Sequence, residues 1–223
     1  IRAVECFTSS CSKTFDVLRE LRIYELGPGG EVYVVRRLTE CMPSLFAAHG
    51  FRPVGQWLAI GDRTSSAFIW MLHWPDWNAR AAAFDALYAD PGFAAAVVAT
   101  QPDGPWLTRF HVLFLTPSVA HPASSGDVSG TIDELRLDEV VPGTATCLSA
   151  TMRDEGVVRI GAAGGTLLGH FDVVSGWPLQ CFAHLTRWPT RDIPQVAGLE
   201  GVTHSTRWLL RPLEHCRATV GLA

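Results

Sequence analysis

One internal offset constrains this chain more than any other feature. Glu20–Gly29 reads ELRIYELGPG and Glu134–Gly143 reads ELRLDEVVPG, so six of ten positions are identical 114 residues apart. At the same offset and without a gap, Gly50 meets Gly164, Gly55 meets Gly169, Phe68 meets Phe182, and Trp74-Pro75 meets Trp188-Pro189. A single offset held this long implies two homologous halves. The expected layout is an extension at 1–17, a domain at 18–117, a Pro/Ser/Gly-rich linker at 118–130, and a second domain at 131–214.

In the first half, Leu18–Leu26 alternates like a strand, and Gly27-Pro28-Gly29-Gly30 breaks it. Val34, Val35, Leu38, Met42, Leu45 and Phe46 recur at helical spacing, with Pro43 predicting a kink or second piece and Gly50 an end. Phe51–Ile60 and Ser66–Trp74 read as two strands around a turn at Gly61-Asp62. Asp76 is placed to cap a helix through Tyr88, Asp90-Pro91 interrupts it, Gly92–Thr100 continues as another short helix, and Phe110–Leu115 closes with a strand. The order βαββαβ is that of ferredoxin-like folds, so the expected class is α+β. The second half keeps its strands but is degenerate. Only 23 positions separate Pro189 from Pro212, against 42 between Pro75 and Pro117, which removes about one helix.

Composition excludes several classes. Hydrophobic residues make up 48% and charged residues 18%, with net charge -4 and Lys13 the sole lysine. That balance argues against disorder and against a nucleic-acid footprint. The longest apolar run, Phe93–Ala99, is too short for a membrane span. Six widely spaced cysteines (Cys6, Cys11, Cys41, Cys147, Cys181, Cys216) contain no CxxC and read as thiols. The arginine excess suggests a bacterial cytoplasmic protein. There is no GxGxxG leading into a helix, no Walker loop, no GxSxG and no HExxH.

Leu21-Arg22-Ile23-Tyr24-Glu25-Leu26 before a Pro-Gly turn resembles the start of NIPSNAP domains. So do His49-Gly50-Phe51, Val54-Gly55-Gln56-Trp57, and Asp90-Pro91 after an Ala/Arg-rich helix. The resemblance implies the dimeric α/β-barrel superfamily, in which two ferredoxin-like units join their sheets. Here the two halves would pair within one chain. That superfamily includes cofactor-independent monooxygenases, cyclases, isomerases and haem enzymes, so fold alone does not name a reaction.

Register arithmetic across the two hairpins sets Gln56 opposite Trp70 and His170 opposite His184, with cross-strand Cβ atoms about 5 Å apart. Two histidines so placed can exchange protons. Phe68, Trp70, Leu72 and Trp74 form an aromatic stripe, which we assign to the barrel interior with Gln56, His170 and His184. Ile69 and Met71 are assigned to helix packing. Arg22 and Arg136 alternate with aliphatics and share a face with Tyr24 and Asp138. The expected catalytic set is His170, His184, Tyr24 and Arg22. Gln56, Trp70, Phe68, Phe182, Arg136 and His111 would bind substrate, with no metal and no cofactor. His49 reads as a helix cap, and His73 and His111 as strand residues of either face.

The functional expectation is a small-molecule tailoring enzyme of secondary metabolism, working by acid-base chemistry on an apolar substrate in the barrel interior. Cyclisation, isomerisation, dehydration and cofactor-free oxygenation remain open. The alternative is a non-catalytic hydrophobic-ligand or haem binding protein. No membrane or nucleic-acid partner is expected, and a homodimer is possible.

Overall fold

The computed structural model describes residues 18–61, 66–100, 106–119, 130–194 and 200–213. Asp62 of the predicted Gly61-Asp62 turn, the extension at 1–17 and Cys6, Cys11 and Cys216 lie outside these. Strand β1 (Leu18–Leu26) ends at a turn where Gly29 takes φ 75°, a conformation that a β-carbon disfavours. Helix α1 (Gly30–Arg36) passes through a π-helical turn at Arg37–Cys41 into α2 (Pro43–Ala48). Pro43 starts α2 because the first helical position needs no N–H donor. After β2 (Arg52–Ala59) and β3 (Ser66–Trp74), the Asp76 carboxylate accepts from Ala79 N at 2.8 Å and caps α3 (Trp77–Ala89). Asp90 does the same for α4 (Pro91–Ala99) through Gly92 N at 2.7 Å. Strand β4 (Leu107–Val119) runs past Pro117.

The second half holds β5 (Ile132–Val140), α5 (Ala145–Thr151), a π-helical turn at Met152–Gly156, α6 (Val157–Ala162), β6 (Thr166–Ser175), β7 (Cys181–Trp188) and β8 (Val202–Pro212). Among the described residues no helix lies between β7 and β8. No single described helix is long and apolar enough to cross a membrane. Cys41 and Cys181 are thiols.

The eight strands close into an antiparallel barrel in the order β1-β3-β2-β8-β5-β7-β6-β4. The blocks β4-β1-β3-β2 and β8-β5-β7-β6 follow one order. They meet at β2·β8, where Trp57 pairs with Pro212, and at β4·β6, where Leu115 pairs with Val173. Both hairpins slip register at corresponding places, between Pro53 and Gly55 and between Leu167 and Gly169.

The two faces of the sheet are the reverse of the sequence assignment. Ile69 and Met71 lie in the barrel interior with Leu21, Ile23, Leu113, Leu135, Leu137, Leu185 and Leu210, and every strand contributes to this mainly aliphatic core, which also holds Trp57 and Phe171. Phe68, Trp70, Leu72 and Trp74 face outward, under α1–α4, with Val34, Phe46, Phe51 and Phe84. Gln56, His170, His184, Arg22 and Arg136 share that outer face by register. The physical reason is space. A barrel interior is filled by side chains from all its strands at once, whereas the wedge between sheet and helices accepts large rings. An apolar substrate inside the barrel, as expected from the sequence, is therefore replaced by packed core.

Two buried indole–carboxylate bonds tie the outer face. Trp74 Nε1 donates to Glu20 Oε2 at 2.8 Å, and Trp188 Nε1 donates to Glu134 Oε2 at 2.8 Å, the same bond at the 114-residue offset. Glu20, fully buried, also receives both Arg80 nitrogens at 2.8 and 2.9 Å. Removing a buried partner strands the groups it satisfied. Glu20→Ala is expected to lower the unfolding free energy by about 3 kcal/mol in urea denaturation. A loss near that of an average surface substitution would show that Arg80 and Trp74 are resatisfied by solvent.

Candidate functional site

The wedge in the first half is not completely filled. A cavity of about 250 Å³ opens between the outer face of β1 and β3 and the helices. Arg22, Tyr24 and Trp70 line its sheet side, Leu38, Met42 and Phe46 one helical wall, and Phe84, Leu87 and Phe93 the other. Tyr88 and Phe110, 60% and 58% exposed, also line it and so mark its mouth. Phe46 stacks on Trp70 at 5.7 Å, and Tyr24 meets the same indole edge-on at 6.1 Å.

The polar groups here are few and all can donate. The Arg22 guanidinium sits 5.1 to 5.8 Å from the ring centres of Phe84, Trp70 and Tyr24, a cation–π arrangement. Its Nε is 3.5 Å from Glu20 Oε1, an ion-pair contact but not a hydrogen bond. Trp70 Nε1 is likewise buried without an acceptor. Burial pushes the Tyr24 hydroxyl above its ordinary value, against the opposing pull of Arg22 and the nearby Trp70 N–H. Arg37 reaches the cavity from the π-helical turn, donating to Thr100 Oγ1 at 2.6 Å and Val97 O at 3.3 Å and lying 4.9 Å from the Trp106 ring.

The histidine pair lies in the other half. The predicted register holds, with His170 opposite His184 and their Nδ1 atoms 3.1 Å apart. Ser149 Oγ is 3.3 Å from His170 Nε2, and Asp138 Oδ2 is 3.3 Å from His184 Nε2. Asp138 also accepts two contacts from Arg136 Nη2, at 3.0 and 3.1 Å, and the Ser205 hydroxyl. The four side chains form one row in the order Ser149, His170, His184, Asp138. All four side chains are buried.

Of the predicted site residues, the structure brings Arg22, Tyr24 and Trp70 together at one cavity. Phe68 is buried behind Tyr24, and Gln56 is buried opposite Trp70. His170, His184, Phe182 and Arg136 form the second cluster. His111 joins neither, pairing with Glu25 at 3.3 Å and meeting the Trp177 ring at 5.3 Å. His49 Nε2 bonds Asp90 Oδ2 at 2.7 Å, tying the end of α2 to the cap of α4. Sequence reasoning missed Ser149, a small residue on a poorly patterned helix, and the cavity wall residues Phe46, Phe84 and Trp106. Among the described residues no three His, Cys, Asp or Glu side chains converge as a metal site.

Residues 19–120 match the NIPSNAP family model. No curated protein matches the chain. Around this NIPSNAP segment, the whole barrel is similar to solved structures. An anthrone oxidase-like protein aligns at 10% identity over 89% of this chain and 92% of its own, with TM-score 0.61. A candidate monooxygenase from Fusobacterium nucleatum aligns at 9% identity over 89% and 93%, TM-score 0.60. A chlorite dismutase from Candidatus Nitrospira defluvii aligns at 10% over 92% and 95%, TM-score 0.53. At such identities the likeness establishes a shared fold, the dimeric α/β barrel, here closed within one chain.

The second cluster carries a pH signature. Burial alone would raise Asp138, but the hydrogen bond and charge of His184, the charge of Arg136 and the Ser205 hydroxyl outweigh it, holding the carboxyl at about 2 against an ordinary 3.8. The folded protein therefore binds this proton less readily than the unfolded chain. The stabilisation is complete above about pH 4 and is lost as pH falls through about 2, a contribution of about 2 kcal/mol. Asp138→Asn is expected to flatten the fall in stability between those values, measured by urea denaturation at each pH; an unchanged slope would remove Asp138 as its source.

Proposed function

We propose that this protein is a small-molecule enzyme that holds an apolar aromatic substrate in the cavity above Arg22, Tyr24 and Trp70. The observation that carries this reading is a hydrophobic cavity lined on its sheet side by the Arg22 guanidinium, held among aromatic rings, and by Trp70, whose Nε1 has no acceptor among the described residues. Such donors await an acceptor, and an enolate, phenolate or carboxylate on a planar ring supplies one. Arg22 then stabilises the oxyanion, Trp70 donates a second bond, and the Tyr24 hydroxyl, kept protonated by burial, gives a proton at the adjacent atom. The chemistry is of the acid-base type expected from the sequence, with cofactor-free oxygenation among its outcomes. The anthrone oxidase-like neighbour adds a substrate shape to test.

Support for two tandem halves comes from the repeated strand order, the matched register slips and the recurring Trp–Glu bond. In this reading the second half completes the barrel. The row from Ser149 to Asp138 is then its internal polar strut, because neither histidine lines the cavity. Haem, the ligand of the alternative reading, does not fit the cavity. The lining has no histidine or cysteine, and 250 Å³ does not enclose a tetrapyrrole.

The first test is binding of 1-naphthoate, a planar aromatic anion, followed by tryptophan fluorescence. Arg22→Gln is expected to weaken it about tenfold, equivalent to about 1.4 kcal/mol. Over a panel of polycyclic phenols and enols, Arg22→Gln should lower kcat by about a hundredfold, measured by oxygen uptake and product analysis. Equal naphthoate affinity in both proteins would overturn the site. Binding with no turnover of any panel member would leave a hydrophobic-ligand carrier.

A further inference from the structure

We propose that one end of the barrel interior, at Arg19, binds a small oxyanion, the carboxylate or phosphate group of a ligand. The cavity described above lies on the opposite face of β1, so this site stands or falls independently of the enzyme reading.

Arg19 alternates with Leu21 and Ile23 and so points into the barrel. It is 2% exposed, and its Nε and Nη1 have no hydrogen-bond partner. Among the described residues none supplies a counter-charge; a buried guanidinium so placed is among the costliest groups a fold can hold, and burial lowers the Arg19 pKa accordingly. The corresponding position of the second half shows how the same fold settles a charge there. Residue 133, at the 114-residue offset, is Asp133. Its carboxylate receives Arg187 Nε at 2.8 Å, Arg187 Nη2 at 3.0 Å and Trp57 Nε1 at 2.8 Å. Asp133 is thus engaged with Arg187 and Trp57.

The strand neighbours around Arg19 include no acid. Its neighbour on β3 is His73, and the neighbour of His73 on β2 is Arg52; its neighbour on β4 is Leu115, which in turn faces Val173. Arg19, His73 and Arg52 therefore form a row across three adjacent strands, buried at one end, half-buried in the middle and exposed at the other. Among the described residues no carboxylate enters that row. A guanidinium fork at the sealed end of a cationic row matches the planar oxygens of a carboxylate or phosphate, and the exposed end supplies a path for entry.

The experiment uses the full chain and Arg19→Met, which keeps most of the side-chain volume. Inorganic phosphate and acetate are titrated at ionic strength held constant with chloride, reading thermal unfolding and calorimetric binding. The expected result is a saturable rise in Tm for the wild type with one or both oxyanions and none for Arg19→Met. Arg52→Gln, at an exposed position, should fold normally and shift half-saturation at least about fivefold, as loss of one partly solvated charge contact implies. A response to both anions assigns a general oxyanion site, and a response to one names the ligand group. In chloride alone Arg19→Met should melt no lower than the wild type, because an uncompensated charge has been removed. Three results would overturn the proposal: a wild-type response no greater than with chloride, the same response in Arg19→Met, or marked destabilisation or misfolding of Arg19→Met in chloride. The last would mean that the chain itself supplies the counter-charge.

Discussion

Barrel closure is the constraint on which the rest of this structure depends. Once β2 pairs with β8 and β4 with β6, no strand edge remains free and the inner face of all eight strands becomes one sealed compartment. That compartment admits layers of Leu, Ile, Met and Val with Trp57 and Phe171 among them and a small number of polar groups. The larger group of rings, Phe46, Phe51, Phe68, Trp70, Trp74, Phe84 and Trp106, lies on the outer face of the first half, where helices cover it. The location of the aromatic cavity follows from this partition and needs no separate cause.

The outer faces of the two four-strand blocks differ in what covers them. In the first, α1–α4 build a thick aromatic layer with space left over Trp70. In the second, the clusters around Trp188 and Phe182 are small, and the position corresponding to Trp70 is His184, bonded into a polar row. Both halves retain the buried indole–carboxylate bond, Trp74 to Glu20 and Trp188 to Glu134. The scaffold contact is thus kept where the binding chemistry is not, which is the pattern expected when one half bears the site and its companion closes the sheet.

The residues of the candidate site were legible one by one but not as a site. Arg22, Tyr24 and Trp70 follow from strand alternation and hairpin register, because those rules are local and period-2. The pairing of His170 with His184 was legible for the same reason. Ser149 was not, since a contact between helix and strand depends on how α5 lies on the sheet, and its sequence shows little amphipathic pattern to say so. His111, grouped with the substrate residues on its type alone, belongs instead with Glu25 and Trp177.

By itself the sequence determined the number and order of strands, the helix ends at Gly29, Gly50, Asp76 and Asp90, and which residues share each face. These depend on turn chemistry and on periodicities that neighbouring residues impose on one another. Only the tertiary structure decided which shared face is the inside. A strand's alternation is symmetric between its two sides, and nothing local distinguishes a barrel interior from a helix-covered exterior. That choice is made by the volume each compartment offers once the barrel closes, and it is what moved the proposed site from within the barrel to the wedge outside it.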